Sequence, residues 1–318
     1  MVPNRWYAVC EARDVRTKPL ALRRLGHDLV LWRAEDGVVR AAADRCPHKG
    51  ARLSTGRVCA GRLVCPYHGF EYDQDGACQK MPVHPEQKPP QAMRLQTWSV
   101  TEAHGLVWLW HGEKEPHGPV PWFTDVPSHS PTSASSALEY PLHYSRVVET
   151  NFDFYHFPFV HKSLAWGVGE AVQDFTVVGD GEGIYTRGKL VNGAGRATDF
   201  QIDFLPPNLQ RLRFLSFDAV IVSTPIDEQR TWVWVRYDQH WVSWPPLGRL
   251  LGRLALWVEW NHVQTREDLP ILSRLQPLRA GPGVNVWVGA DAGAARYVQW
   301  RARQLRAAQE DTRATTAV

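Results

Sequence analysis

Two short motifs, each with one cysteine and one histidine, are the first candidates for chemistry in this sequence. Cys46 and His48 form a C-x-H motif, and after sixteen intervening residues Cys65 and His68 form a C-x-x-H motif. Thiolates and imidazoles bind iron and zinc in proteins. A [2Fe–2S] cluster with two cysteines on one iron and two histidines on the other needs this mixed set, and the neutral imidazoles raise its reduction potential above that of a four-cysteine cluster.

Structural zinc is the main alternative for such a ligand set. Zinc fingers place two cysteines first and two histidines later, whereas here each cysteine has its own histidine. Each motif also ends in a glycine, Gly50 or Gly69, which lets the backbone approach a bulky inorganic group. The order therefore favours a Rieske-type [2Fe–2S] cluster over zinc, and its predicted ligands are Cys46, His48, Cys65 and His68.

Composition limits the classes to which the protein can belong. A chain of 318 residues is long enough for two domains, and 44% hydrophobic with 22% charged residues is typical of a globular protein. The net charge of +3 and the lack of a dense basic run argue against nucleic acid. Since we find neither a signal peptide nor a run of about 20 apolar residues, we expect a cytoplasmic protein without a membrane partner.

Strand patterns and turn residues divide the sequence into two domains and predict an α+β fold. Short β-type runs separated by Asp-Gly turns predict an N-terminal all-β domain over residues 1–115. A proline- and serine-rich stretch at 116–137 predicts a linker. Residues 138–309 are predicted to form a catalytic domain with an antiparallel β-sheet flanked by helices. Residues 310–318 are predicted to form a flexible tail.

Helical patterns lie in three parts of the second domain, at 144–155, 247–275 and 292–308. Within the second of them, the leucine-rich segment 247–254 also carries glycines and arginines. It could form a lid or a helix that touches a membrane, but the preferred interpretation is an ordinary packed amphipathic helix.

A second metal site is predicted around two histidines in an aromatic segment. His156 and His161 lie five residues apart, so a regular helix at about 100° per residue would point them in different directions. Pro158 lies between them and is predicted to break the helix, which allows the two imidazoles to converge. Two histidines and one carboxylate on one face of Fe(II) leave open positions for O2 chemistry. The alternative is that both are ordinary core or surface histidines.

The whole chain resembles the oxygenase component of the Rieske non-haem iron oxygenases, in particular the shorter single-subunit monooxygenases and demethylases. The resemblance rests on the two cluster motifs and on Asp153, His156 and His161 in the pattern D-x2-H-x4-H, and it covers nearly the full length. It implies that a downstream aspartate is the third ligand of the mononuclear iron. Asp268 is the candidate at that position, with Glu267 in reserve.

The resemblance also implies roles for two further residues and for partners. Asp153 matches an aspartate that bridges the cluster of one subunit to the iron of its neighbour, which implies a head-to-tail homotrimer, and a carboxylate there can orient both imidazoles. Asn151 matches an asparagine near the iron. Electrons come from a separate NAD(P)H-dependent reductase, with or without a ferredoxin, so NAD(P)H acts only indirectly.

The function implied by the resemblance is that of a terminal oxygenase, which uses O2 and externally supplied electrons to hydroxylate or oxidatively demethylate a small aromatic or polycyclic substrate. Two alternatives stay open: cis-dihydroxylation of an arene, and electron transfer by a Rieske-type protein without oxygenase activity. Iron content separates the carrier from the enzyme, at about two against about three irons per chain. The candidate pocket residues, for which core packing is the alternative, are Phe204, Phe214, Trp232 and Trp234.

Overall fold

The structure, a computed structural model, describes residues 1–179, 182–214 and 217–316. Its residues separate into two compact units, 4–120 and 121–318, and residues 1–3 belong to the second of these. The predicted domain ended at residue 115, close to this division. Nothing in the described part of the chain is a helix both long and apolar enough to cross a bilayer.

The strands of the first unit are β1 (Arg5–Glu11), β2 (Leu20–Arg24), β3 (His27–Arg33), β4 (Val39–Ala43), β5 (Arg57–Cys59), β6 (Arg62–Val64), β7 (Glu71–Tyr72), β8 (Cys78–Lys80), β9 (Thr97–Trp98), β10 (Val100–Ala103) and β11 (Leu106–His111). They form three small antiparallel sheets, in the orders β1-β11-β10, β2-β3-β4-β9 and β5-β6-β7-β8. The last sheet supports the cluster motifs, because the first motif precedes β5 and the second lies between β6 and β7.

The strands of the second unit are β12 (Ala134–Tyr140), β13 (Ala171–Val178), β14 (Ile184–Val191), β15 (Ala197–Leu205), β16 (Leu209–Phe214), β17 (Phe217–Pro225) and β18 (Thr231–Gln239). They form one antiparallel sheet in the order β12-β18-β17-β16-β15-β14-β13. Each strand from β13 to β18 pairs with the next along the chain, as short connections favour. Because β12 begins at Ala134, the end of the predicted linker 116–137 is part of this sheet.

The helices are α1 (Tyr144–Thr150), α2 (Phe157–Val160), α3 (Pro245–Val258), a π-helix (Glu259–Asp268), α4 (Leu269–Leu272) and α5 (Ala292–Thr316). Short 3-10 turns occur at Ala12–Asp14, Leu53–Thr55, Gln91–Met93 and Gly289–Asp291. The predicted tail 310–318 overlaps α5, which runs to Thr316, and residues 317 and 318 lie outside the described residues. The predicted α+β class, with an all-β N-terminal domain and an antiparallel sheet flanked by helices, is confirmed.

The core of the second unit lies between one face of the sheet and helices α1 and α5. On β15 the residues alternate, so that Phe200, Ile202 and Phe204 face inward. Phe204 is fully buried, and its ring lies 5.2 Å from the ring of Tyr297 and 5.5 Å from that of Trp300. The structure therefore places this candidate pocket residue in the core that holds α5 on the sheet.

We expect Phe204→Ala to lower the free energy of unfolding by about 3–5 kcal/mol, because the substitution leaves a cavity among aromatic rings. Urea denaturation followed by far-UV circular dichroism measures the loss. Phe159→Ala is the control, since that ring is 55% exposed and its removal should cost much less. If the Phe204→Ala protein kept its stability but bound substrate more weakly, Phe204 would be a pocket residue and not a core residue.

Candidate metal centres

The two cluster motifs fold into loops with the same backbone hydrogen bonds. The N–H of Gly50 donates to the carbonyl of Cys46 at 2.9 Å, and the N–H of Gly69 donates to the carbonyl of Cys65 at 3.1 Å. Both glycines have left-handed backbone angles, with φ of +75° and +70°, a conformation that costs a residue with a Cβ more than it costs glycine. Each loop thus makes a tight turn, which places its cysteine and its histidine on the same side.

The side chains of these loops form a donor set that suits a [2Fe–2S] cluster. Cys46 and Cys65 are buried, and the Cys46 Sγ lies 3.2 Å from the hydroxyl of Tyr72. The Nδ1 atoms of His48 and His68 face each other at 3.2 Å. Burial raises the pKa of the Cys65 thiol, and its closeness to Cys46 raises it further, so a bound cation is needed to stabilise two thiolates here. Two neighbouring thiols and two facing imidazoles, supplied by the same two loops, fit the mixed ligation of a Rieske cluster.

A second set of ligand atoms converges in the other unit. The Nε2 atoms of His156 and His161 lie 3.3 Å apart, and Asp268 Oδ1 lies 3.8 Å from the first and 3.3 Å from the second. One atom from each of the three side chains can be chosen so that all lie within 4.8 Å of one another. A single ion can contact all three, and two imidazoles with one carboxylate are the ligand set of non-haem Fe(II) sites.

Helix α2 explains how two histidines five residues apart can meet. It is a single turn, and His156 and His161 are the residues that flank it at its two ends. Pro158 lies in its first turn, where the missing N–H needs no partner. The predicted role of Pro158 is therefore corrected: it starts a short helix after His156 instead of breaking a longer one, and both imidazoles turn back towards the same point.

The third side chain comes from the end of the π-helix. Two side-chain hydrogen bonds there join residues five apart, which is the spacing of a π-helix. The amide of Gln264 donates to Glu259 at 2.7 Å, and the hydroxyl of Thr265 donates to the carbonyl of Trp260. The hydroxyl of Tyr140, on β12, donates to the Gln264 Oε1 at 2.5 Å and so ties the π-helix to the sheet. These contacts hold the wide helical turns that carry Asp268.

Glu267 lies on the opposite side of His161 from Asp268. Its Oε2 is 2.8 Å from His161 Nδ1, whereas Asp268 Oδ1 faces Nε2 of the same ring. Burial lowers the pKa of His161, but the hydrogen bonds to Asp268 and Glu267 outweigh that effect and raise it. This geometry fits Asp268 as the carboxylate of a candidate ligand set and Glu267 as the partner that orients the imidazole, a pairing typical of metal-binding histidines. The sequence did not indicate this role of Glu267.

Asp153 and Asn151 occupy different surroundings. Asp153 Oδ1 accepts from the backbone N–H of His156 at 3.1 Å and lies 3.5 Å from His156 Nδ1, so this carboxylate supports the histidine. Its side chain is 35% exposed. Asn151 instead donates from Nδ2 to Oε1 of Gln210 at 2.9 Å, which anchors the end of α1 to β16. This hydrogen bond of Asn151 is structural, and its contact near the iron stays a prediction.

The remaining candidate pocket residues are all buried. Phe214 packs against Phe157 with ring centroids 4.8 Å apart, and Phe157 lies 5.0 Å from the ring of His161. These tilted and edge-to-face ring contacts link Phe214 to a candidate metal-binding histidine, whereas Trp232 and Trp234 are buried on β18. The sequence also did not indicate a partly buried carboxyl group, Glu259, at the start of the π-helix: burial raises its pKa, and the nearby charge of Asp268 adds to that rise.

Comparison with known proteins agrees with this geometry. Residues 5–99 match the family model of the Rieske [2Fe-2S] domain. The chain is 34% identical over 160 residues to the chloroplastic protein TIC 55 of Arabidopsis thaliana, matching 49% of this chain and 30% of that one. It is 32% identical over 185 residues to the oxygenase component of dicamba O-demethylase from Stenotrophomonas maltophilia, matching 57% of this chain and 54% of that one. The chain thus spans about half, or less, of these relatives.

Solved structures share the fold over nearly the whole chain. Dicamba monooxygenase bound to 3,6-dichlorosalicylic acid superposes with a TM-score of 0.79 at 22% identity, covering 97% of this chain and 99% of that one. NdmA of Pseudomonas putida CBB5 superposes with a TM-score of 0.75 at 23% identity, covering 97% and 92%. We therefore identify residues 5–99 as a Rieske [2Fe-2S] domain, and the fold of the chain as that of dicamba monooxygenase and NdmA.

Proposed function

We propose that the protein is a terminal oxygenase, which uses O2 and two externally supplied electrons to hydroxylate or oxidatively demethylate a small organic molecule. One oxygen atom enters the product and the other leaves as water, with two protons taken up. The observation that carries the proposal is the convergence of His156, His161 and Asp268 in a chain that also has a Rieske domain. The names of the similar proteins, an O-demethylase component and a monooxygenase, support it.

The residues have separate tasks in this proposal. Cys46, His48, Cys65 and His68 hold the [2Fe–2S] cluster, and His156, His161 and Asp268 hold a mononuclear Fe(II). When bound, the cluster supplies single electrons and the iron supplies the position at which O2 is reduced. Glu267 accepts the Nδ1–H of His161 and keeps its Nε2 free for the metal. The electrons come from a separate NAD(P)H-dependent reductase or a ferredoxin, and the location in the cytoplasm stays a prediction.

Asp153 is proposed to carry electrons between subunits. It lies at the half-exposed edge of His156, with its carboxylate already supporting that histidine. A carboxylate in this position can also accept the imidazole N–H of a cluster ligand from a neighbouring chain. We therefore propose a head-to-tail homotrimer, in which heterologous contacts close into a ring.

The first prediction concerns iron content. The intact protein should bind about three irons per chain, and His161→Ala should lower this to about two, because the cluster needs two and the mononuclear site one. Iron analysis together with the visible absorption of the cluster measures both. His262→Ala is the matched control, since His262 is 42% exposed, lies near Glu267 and is outside the ligand set. Two irons in the intact protein would indicate an electron carrier.

The second prediction separates the two neighbouring carboxylates. Asp268→Asn should abolish binding of the mononuclear iron, because it removes an anionic ligand. Glu267→Gln should weaken iron binding about 10-fold, since loss of an outer hydrogen-bond partner costs about 10–100-fold in metal affinity. Competition with a chelator measures the affinity while cluster absorption stays constant. If Glu267→Gln lost iron as completely as Asp268→Asn, then Glu267 would be the ligand.

The third prediction tests electron transfer between subunits. Cys46→Ser chains lack the cluster, and His161→Ala chains lack the mononuclear iron, so each alone should be inactive. Mixed oligomers should regain activity, because the cluster of one chain can then serve the iron of another. Adding Asp153→Asn to the Cys46→Ser chain should remove this rescue and leave iron content unchanged; asparagine keeps an oxygen that can accept from the His156 N–H.

One outcome of this experiment would contradict electron transfer between chains, and another would contradict the role of Asp153. If mixed oligomers form, as shown by mass measurement, and stay inactive with both metals present, electrons do not cross between chains. If the mixed oligomers stay active with Asp153→Asn, electrons still cross between chains, but Asp153 is not part of their path.

A further inference from the structure

Helix α3 packs on the sheet through its small residues. Gly248, Gly252 and Leu256 are buried. A Cβ at Gly248 would lie 2.6 Å from the side-chain nitrogen of Gln239, and a Cβ at Gly252 would lie 2.9 Å from the Cβ of Ala134. Distances this short show that the helix backbone approaches the sheet edge more closely than larger residues would allow. The two glycines, one turn apart, are therefore the contact face of α3.

The large apolar residues of α3 face the other way. Leu250, Leu254 and Trp257 are 61%, 56% and 61% exposed, and Leu247 on the same stripe is also exposed. At about 100° per residue these positions lie opposite the glycine face. Two more exposed tryptophans, Trp241 and Trp244, precede the helix. We call this set of exposed apolar residues, Trp241, Trp244, Leu247, Leu250, Leu254 and Trp257, the α3 face.

The charges beside the α3 face have one sign. Arg249 and Arg253 are exposed on its flank, and no acidic residue occurs between 239 and 258. A helix with leucine and tryptophan on one side and arginine next to them, without acidic residues, is typical of helices that lie in the interface of a membrane. The arginines match the negative charge of anionic lipid headgroups.

This arrangement changes the interpretation of the sequence. The amphipathic pattern of 247–254 favoured an ordinary packed helix, in which the leucines would face the core, and composition led us to expect no membrane partner. In the structure the glycines take the inward face, so the leucines are left outside. A second copy is a less suitable occupant, because symmetric pairing of two α3 faces would bring four arginines into one interface, where like charges repel.

We propose that the α3 face docks on the surface of an anionic lipid bilayer. The helix lies in the plane of the membrane, with its leucines and tryptophans below the headgroups and Arg249 and Arg253 at the level of the phosphates. The attachment is peripheral and reversible, since it depends on one short helix and two adjacent tryptophans.

Co-sedimentation of the full metal-loaded protein with vesicles tests the proposal. Vesicles that contain phosphatidylglycerol should bind the protein, vesicles of phosphatidylcholine alone should bind it at least about tenfold more weakly, and salt should reduce the binding. Leu250→Glu with Leu254→Glu should lower binding to the anionic vesicles at least about tenfold while cluster absorption and circular dichroism stay unchanged. The matched control is Val286→Glu with Val288→Glu, because both valines are exposed and lie outside α3.

Three results would overturn the inference. The first is absence of binding to either vesicle. The second is equal binding to both vesicles, together with no effect of Arg249→Gln and Arg253→Gln, since lipid charge would then play no part. The third is an oligomer that dissociates in the Leu250→Glu and Leu254→Glu variant without any vesicle binding by the intact protein, which would make the α3 face an interface between copies of this chain.

Discussion

The close approach of His156, His161 and Asp268 is the constraint on which the second unit depends. Two imidazoles and a carboxylate, partly removed from water with their ligand atoms within 4.8 Å, cost free energy unless hydrogen bonds or a cation compensate for the lost hydration. Hydrogen bonding by Asp268 and Glu267 to His161 supplies part of that compensation, and it raises the pKa of the ring despite its burial. A divalent cation bound by these ligands would supply the rest.

This constraint accounts for the two unusual helical segments nearby. Helix α2 has only one turn, because a longer regular helix would separate the two histidines that flank it. The π-helix widens the backbone just before Asp268, and its hydrogen bonds between residues five apart hold that form. Tyr140 joins the same network from β12. The sheet, the π-helix and α2 are thus connected through side chains, so the position of Asp268 relative to the histidines is fixed by tertiary contacts.

Local and tertiary features differ in how far the sequence could predict them. The cluster loops are local, because each motif contains its own ligands and its own glycine, and the sequence predicted all four side chains that converge in these loops. Period-2 runs likewise predicted most strands. The π-helix was predicted only as part of a regular helix, since its register depends on Tyr140, more than a hundred residues away. The sequence left the role of Phe204 open between pocket and core, because an inward aromatic on a strand looks the same whether a cavity or Tyr297 faces it.

Each candidate metal centre places one imidazole at the surface of its own unit and keeps its anionic groups inside. His48 is exposed while Cys46 and Cys65 are buried, and the His156 side chain is 32% exposed while those of His161 and Asp268 are nearly covered. Buried thiolates and carboxylates keep their charge next to the metal, where a low dielectric strengthens the attraction. Exposed imidazoles can in turn donate a second N–H to an acceptor outside the unit. Asp153, in the same unit as His156, has a partly exposed carboxylate beside that ring. We therefore propose that it accepts from an exposed cluster imidazole of a neighbouring chain and that electrons pass through the histidines.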